Sequence, residues 1–293
     1  MSPASILENL FLALPSVSAQ HAPSSKLCAL LKSLVRREIE SLFSNKDIQA
    51  SEFKPFGDLI FPYHQMGAVD SLNLFDLDEL IIFSFYWLNR QKYQRVLDVG
   101  ANIGLHSILL SKCGFEVCAY EPYPQHFAIL QRNLALNSCA HVQAFNAAVS
   151  SKTGVMEFVR VLGNTTGSHL AGAKPHPYGD LERFPVNVEA IAPLITWADL
   201  IKLDAEGHEK DILLATQSAQ WLHTDAFVEV GNKGNAAAIY EHFTTLGVQL
   251  FSQKIGWQHV QHIDAMPESY REGALFITCK KEVPWYGSDE ASS

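Results

Sequence analysis

The 293-residue chain has no basic surplus, no closely paired cysteines and no apolar run long enough to cross a bilayer. Each absence removes a class of function. Lys and Arg number 22 against 31 Asp and Glu, a formal charge of −9. Nucleic-acid binders draw most of their non-specific affinity from cations at phosphates, so that class is disfavoured and no nucleic-acid partner is expected. The five cysteines, at 28, 113, 118, 139 and 279, form no CxxC, and no His repeat completes a zinc pattern. Free thiols in a reducing compartment are expected, and no metal site is assigned. The longest near-apolar run, 80–88, falls far short of the ~20 residues of a spanning helix. The amino terminus imitates a signal peptide but lacks a basic n-region, and Glu8-Asn9 interrupt its apolar stretch. A cytoplasmic protein is the expectation.

What is present is core material. Hydrophobic residues make up 47% and charged residues 18%, a globular balance. Residues 25–44 place Leu27, Leu30, Leu31, Leu34, Ile39 and Leu42 at helical spacing behind Ser24 or Ser25 as cap. That apolar stripe suits docking within the chain or a homodimer. Between 51 and 71 the pattern dissolves among Pro55, Gly57, Pro62 and Gly67, which predicts an irregular or hairpin connection. Acidic residues at 76–79 then introduce the apolar helix 80–88, as the helix dipole favours.

From residue 94 the rhythm is strand, turn, helix. Strands are expected at 95–99, 115–120, 142–145, 199–204, 226–230, 248–251 and 274–279, with helices at 105–113, 124–136, 208–222 and 235–246. This predicts an α/β fold, a doubly wound, mostly parallel, seven-stranded Rossmann-like sheet with an N-terminal helical extension. The expected division is a helical and irregular cap at 1–92, a sheet domain at 93–282 and a flexible tail at 283–293. An insertion at 150–198, with β character at 155–161 and 186–188, is placed to close over a site as a lid.

In such a sheet the ligand sits beyond the carboxyl ends of the strands. The first strand ends in Asp98-Val99-Gly100-Ala101-Asn102-Ile103-Gly104. Glycines there let backbone approach closely and let the next helix start tight. The spacing is not GxGxxG, and a carboxylate ahead of the first glycine repels a pyrophosphate while suiting a cationic ligand. The second strand ends in Tyr120-Glu121-Pro122, close to the ~20-residue offset at which an acid grips ribose hydroxyls. One acid for an amino or sulfonium end and one for ribose describe a pocket for S-adenosyl-L-methionine.

These residues resemble the class I S-adenosylmethionine-dependent methyltransferases, specifically the FkbM type. The resemblance rests on VLDVGANIGLHSILL (96–110), YEPYPQHFAILQRNLALN (120–137), NAAVSSKTG (146–154) and IKLDAEGHEKDIL (201–213). It implies that Asp98, Gly100, Asn102 and Gly104 line the methionine end of the cofactor, that Glu121, with Pro122 beside it, binds the ribose, and that Asn146 and Ala147 sit by the adenine. Where the family carries a threonine-leucine-aspartate step, this chain reads Glu189-Ala-Ile-Ala-Pro-Leu194.

The fourth-strand motif also has a physical reading. Alternation puts Lys202 and Asp204 on one face, with Asp204 at the carboxyl end. A lysine inside a central strand needs a partner, and Glu229 or Glu206 is available. His208 suits a general base that takes a hydroxyl proton, and equally a hydrogen-bonder at the helix start. Glu209 follows, where it complements the helix dipole. Asp204, Glu206 and His208, with Lys202, are the candidate catalytic set, and their titratable groups favour an alcohol or phenol acceptor. Asn164 and His169 in the insertion are candidate acceptor contacts, and His106 a candidate cofactor contact or helix-start packing residue. The expected function is O-methylation of a hydroxyl on a small molecule, sugar or glycan, or natural-product scaffold, giving S-adenosyl-L-homocysteine. The alternatives are a catalytically silent cofactor-binding protein and a nicotinamide-dependent oxidoreductase.

Overall fold

The computed structural model describes residues 5–45, 48–163, 167–173 and 180–285. In chain order come α1 (Ile6–Ala13), α2 (Lys26–Phe43), a short hairpin of β1 (Ser51–Glu52) and β2 (Asp58–Leu59), and α3 (Leu77–Leu88). They are followed by β3 (Arg95–Val99), α4 (Leu105–Lys112), β4 (Glu116–Tyr120), α5 (Pro124–Leu136) and β5 (Val142–Phe145). The insertion contributes β6 (Ala148–Ser150), β7 (Gly154–Val161), β8 (His169–Leu170) and β9 (Leu181–Ala190). Then come α6 (Ile191–Trp197), β10 (Leu200–Leu203), α7 (Glu209–Leu213) and β11 (Asp225–Glu229). The last elements are α8 (Lys233–Leu246), β12 (Gln249–Ser252), β13 (Gln258–His259) and β14 (Ala274–Thr278).

The main sheet runs β13-β12-β14-β11-β10-β3-β4-β5. The pairs from β11 through β10, β3 and β4 to β5 are parallel, and β14 is antiparallel to both β11 and β12. Seven strands were expected from the sequence, and the main sheet has eight among the described residues. The extra one, β13, is a two-residue edge strand, too short to leave an alternation signal. The insertion forms its own four-stranded sheet, ordered β6-β9-β7-β8.

Strand alternation divides the core. One face presents Val96, Leu200, Phe227 and Phe276 to the helices before β3, and Phe83, Phe85 and Tyr86 of α3 are fully buried there. The other face presents Leu97, Ile201, Leu203 and Val228 to Ile191, Ile212, Ile239 and Phe243 of α6–α8. Each large apolar side chain buried this way stabilises by about 1.5–3 kcal/mol relative to exposure. The N-terminal helices therefore cover one face of the sheet and share its core.

Local expectations are corrected in three places. Helix α2 forms where expected, but its buried residues are Cys28, Val35, Ile39 and Phe43, while Leu30 is 65% exposed. The helix expected over 208–222 stops at Leu213, and a 3₁₀ turn follows at Ser218–Leu222. Trp221 is buried there, its indole N–H donating to Thr216 Oγ1 at 2.9 Å, and this anchor favours the break. The tail expected to be flexible from 283 begins in the core: Val283 and Trp285 are buried, and Trp285 meets Phe85, His21 and Trp257 at 5.2–5.5 Å between ring centroids. No helix among the described residues is long and apolar enough to cross a membrane.

Candidate active site

At the carboxyl end of β3 the backbone turns through positive φ at Gly100, Asn102 and Gly104. A Cβ on Gly100 would lie 1.7 Å from the Asp204 carbonyl oxygen, so this glycine admits the chain's own backbone at the exit of β10. Gly104 is the N-cap of α4 and sits against Leu130 of α5. Three successive amides of this loop are engaged. Gly100 and Ala101 both donate to the Tyr120 carbonyl at 3.0 Å, and Asn102 N–H donates to Glu121 Oε2 at 2.9 Å.

Glu121 is 6% exposed, and its second oxygen accepts from Tyr123 N–H at 2.8 Å. Burial pushes its carboxyl up to about 7, against the pull of those two amides. Both oxygens keep lone pairs free for further donors. Asn146 is exposed and donates to the carbonyls of Glu121 and Pro122, bracing the turn from outside, while Ala147 is buried in the core. The structure therefore does not bring Asn146 and Ala147 to the cleft wall; Ala148 and Val149 stand there instead.

A cleft opens beside Glu121. Val99, Gly100, Asn102, Glu121, Pro122 and Tyr123 line one part, and Phe158, Ser168, His169 and Leu170 come from the insertion. Asp204, Ala205, Glu206 and His208 also line it, with Asp204 against the Gly100 turn. His169 thus lines the same cleft as Glu121, and Asn164 lies outside the described residues. His126 also lines the cleft, its pKa lowered to about 4 by burial and then by the nearby Arg160, so the imidazole is neutral.

Asp98 and Gly104 lie off the cleft wall. Asp98 is fully buried, accepts from Ser107 Oγ at 2.6 Å, and leaves Oδ1 without a hydrogen-bond partner. Lys202, opposite Asp98 in the parallel register, is 7% exposed. Its ammonium pairs with Asp204 Oδ2 at 3.2 Å, not with Glu206 or Glu229 as expected, because Asp204 follows it on the same face two residues on. Burial opposes that charge, but Asp204, Asp98, Glu79 and Glu229 hold the ammonium protonated above its ordinary range. Lys202 lines a second cavity, which shares Asp204 with the first.

The loop after β10 is clamped by Glu209. Its Oε1 accepts from Ala205 N–H at 2.8 Å and Gly207 N–H at 3.0 Å, and burial raises its pKa to about 7. This is a more specific task than complementing the dipole. His208 is buried, with Nε2 2.7 Å from Ser150 Oγ and Nδ1 3.3 Å from Asp211 Oδ2. Burial lowers its pKa, so it is neutral near pH 7. His106 turns away from the cleft: Nδ1 is 3.0 Å from Tyr86 Oη and Nε2 2.9 Å from Glu79 Oε2, which makes it a packing residue between α3 and α4. No group of three or more His, Cys, Asp or Glu among the described residues is arranged to hold a metal.

The profile of the methyltransferase FkbM domain matches residues 98–265, more than half of the chain. The chain belongs to the FkbM methyltransferase family. Within that span fall the Gly100 turn, Glu121, the insertion and the β10 exit. The chain is 25% identical over 162 residues to "Methyltransferase sdnD" of Sordaria araneosa, covering 43% of this chain and 61% of that protein. It is 23% identical over 186 residues to "Methyltransferase 1" of Beauveria bassiana (strain ARSEF 2860), covering 55% and 75%. A solved methyltransferase FkbM from Methylobacillus flagellatus KT is similar at 16% identity and a TM-score of 0.41, over 70% of this chain and 52% of that one.

Two features of this FkbM-family site were not read from the sequence. Glu79 looked like a first-turn acid of α3, and only the fold turns it toward Lys202 and the second cavity. Tyr270 lies in a short 3₁₀ turn without periodicity, yet it lines the same cavity.

Proposed function

We propose that this FkbM-family protein is an S-adenosyl-L-methionine-dependent O-methyltransferase acting on a hydroxyl of a small molecule, sugar or natural-product scaffold. The observation that carries the reading is Glu121. Its carboxylate lines the cleft, is held by two backbone amides, and retains acceptor capacity for a pair of ribose hydroxyls. The carboxylates that outnumber the Lys202 ammonium around the β10 exit fit a ligand bringing positive charge. The amides of Gly100, Ala101 and Asn102 are spent on Tyr120 and Glu121, which weighs against a nicotinamide dinucleotide.

S-adenosylmethionine, when bound, supplies an electrophilic methyl group on a sulfonium. Gly100, Asn102, Glu121 and Pro122 would hold it, with the insertion strands excluding water above. Asp204, Glu206 and His208 share the cleft wall with these residues, and positioning of an acceptor oxygen against the methyl group would supply much of the rate.

A thermal-shift comparison tests the reading. S-adenosylmethionine and S-adenosylhomocysteine should raise the unfolding midpoint and NAD should not, because only a ligand bound by the folded state stabilises it. A shift with NAD alone would overturn it.

A further inference from the structure

We propose that the second cavity is the acceptor pocket, and that Glu229 is the base that takes the proton of an uncharged alcohol bound there. The inference rests on the cofactor reading above and deepens it. Asp204 borders both cavities, so the second adjoins the cleft assigned to the cofactor.

The walls state the chemistry of the occupant. Ile82, Phe227 and Tyr270 give it apolar and aromatic surface, while Glu79, Asp204 and Glu229 give it acceptors. The cavity's ammonium, on Lys202, is already paired with Asp204 at 3.2 Å. A carboxylate or phosphate acceptor would meet acids with no free cation among the described lining residues, whereas a neutral alcohol meets hydrogen-bond acceptors along an apolar face.

Elimination then selects the base. His208 does not line the second cavity, and its ring nitrogens face Ser150 and Asp211. Asp204 is held by Lys202, Glu79 stands 2.9 Å from His106, and Asp78 is held by Lys32 and Gln253. The Glu229 side chain makes no hydrogen bond or ion pair among the described residues. Burial, and then the carboxylates of Asp204, Glu206, Glu79 and Glu209, raise its proton affinity well above that of an ordinary carboxyl. A cation arriving in the cleft draws it back toward the ionised form, ready to accept a proton. In the transfer the acceptor oxygen forms a bond to the methyl carbon as the carbon–sulfur bond breaks. The electron pair leaves with sulfur as a neutral thioether, and the hydroxyl proton passes to Glu229.

Calorimetric titration of two probes tests this. Sinefungin carries an amine where the methylated sulfonium stands, and S-adenosylhomocysteine carries a bare thioether. Glu229→Gln should weaken sinefungin at least about fivefold, the loss of one charge-assisted contact, and leave S-adenosylhomocysteine within about twofold. Retained S-adenosylhomocysteine binding also reports a folded variant. Equal changes for both probes, or none for either, would overturn the role of Glu229 and leave the cofactor reading intact. No binding of S-adenosylhomocysteine to the unaltered protein would overturn both. A crystal structure with the homocysteine tail filling the second cavity would overturn the acceptor pocket. So would preferred turnover of a carboxylic acid over its alcohol.

Discussion

Lys202 and Asp204, two residues apart at the exit of β10, form a 3.2 Å ion pair at the boundary between two cavities. Asp204 borders both and Lys202 only the second. The lysine is buried, so it serves as the counter-charge for Asp204 and for the nearby Asp98, Glu79 and Glu229. Replacing it strips those acids of their cation. Lys202→Met should destabilise by about 3 kcal/mol in urea denaturation, and adding Asp204→Asn should restore part of it. A loss under about 1 kcal/mol would mean that the acids do not depend on Lys202.

The glycine turn after β3 gives a sharper contrast. Gly100 and Gly114 both have positive φ, but a Cβ on Gly100 meets the Asp204 carbonyl at 1.7 Å while one on Gly114 meets nothing within 4 Å. Gly114→Ala should cost about 1–2 kcal/mol from conformation alone. Gly100→Ala should cost more than about 3 kcal/mol and abolish S-adenosylhomocysteine binding, because the β10 exit must move. Equal melting temperatures for the two variants would contradict this.

Glu209 makes a prediction in pH. Its folded-state pKa, about 7, lies above the ordinary value of 4.5, so the folded protein holds a proton that the unfolded chain has released between those pH values. Stability from this group therefore falls as pH rises through the window. Glu209→Gln keeps an oxygen for the Ala205 and Gly207 amides and has no proton to lose. Its melting temperature relative to the unaltered protein should climb from pH 5 to pH 7.5, by the equivalent of roughly 3 kcal/mol at most. A pH-independent difference would show that Glu209 titrates normally.

Ser150 holds the imidazole of His208 at 2.7 Å inside the core. Ser150→Ala leaves a buried ring nitrogen unpaired and should cost about 1–3 kcal/mol. If His208→Ala combined with Ser150→Ala loses no more than His208→Ala alone, the two act as one unit. Additive losses would separate them.

Most of the frame was legible because its signals are local. The run at 95–99 followed by Gly100 and Gly104, and Glu121 at the next strand end, announce both the sheet and the side of it that holds a ligand. Lys202 was recognisable as a buried cation, but its partner was not, since alternation alone does not rank Asp204 above Glu229. Asn146 and Ala147 were placed by resemblance. The structure turns Asn146 outward to brace Pro122 and puts Ala148 and Val149 at the wall, a one- to two-residue shift that no sequence pattern encodes. Glu79 and Tyr270 reach the second cavity only through packing between elements far apart in the chain. Trp285 was missed for the same reason, because its partners Phe85, His21 and Trp257 come from three separate regions.

Calorimetric titration of S-adenosylhomocysteine into the unaltered protein and into Glu121→Ala addresses the central claim most directly. The expected result is one site per chain in the unaltered protein, weakened at least about tenfold when the Glu121 carboxylate is removed. Absence of binding to the unaltered protein, or equal affinity for both proteins, would contradict the assignment of the cleft to S-adenosylmethionine through Glu121.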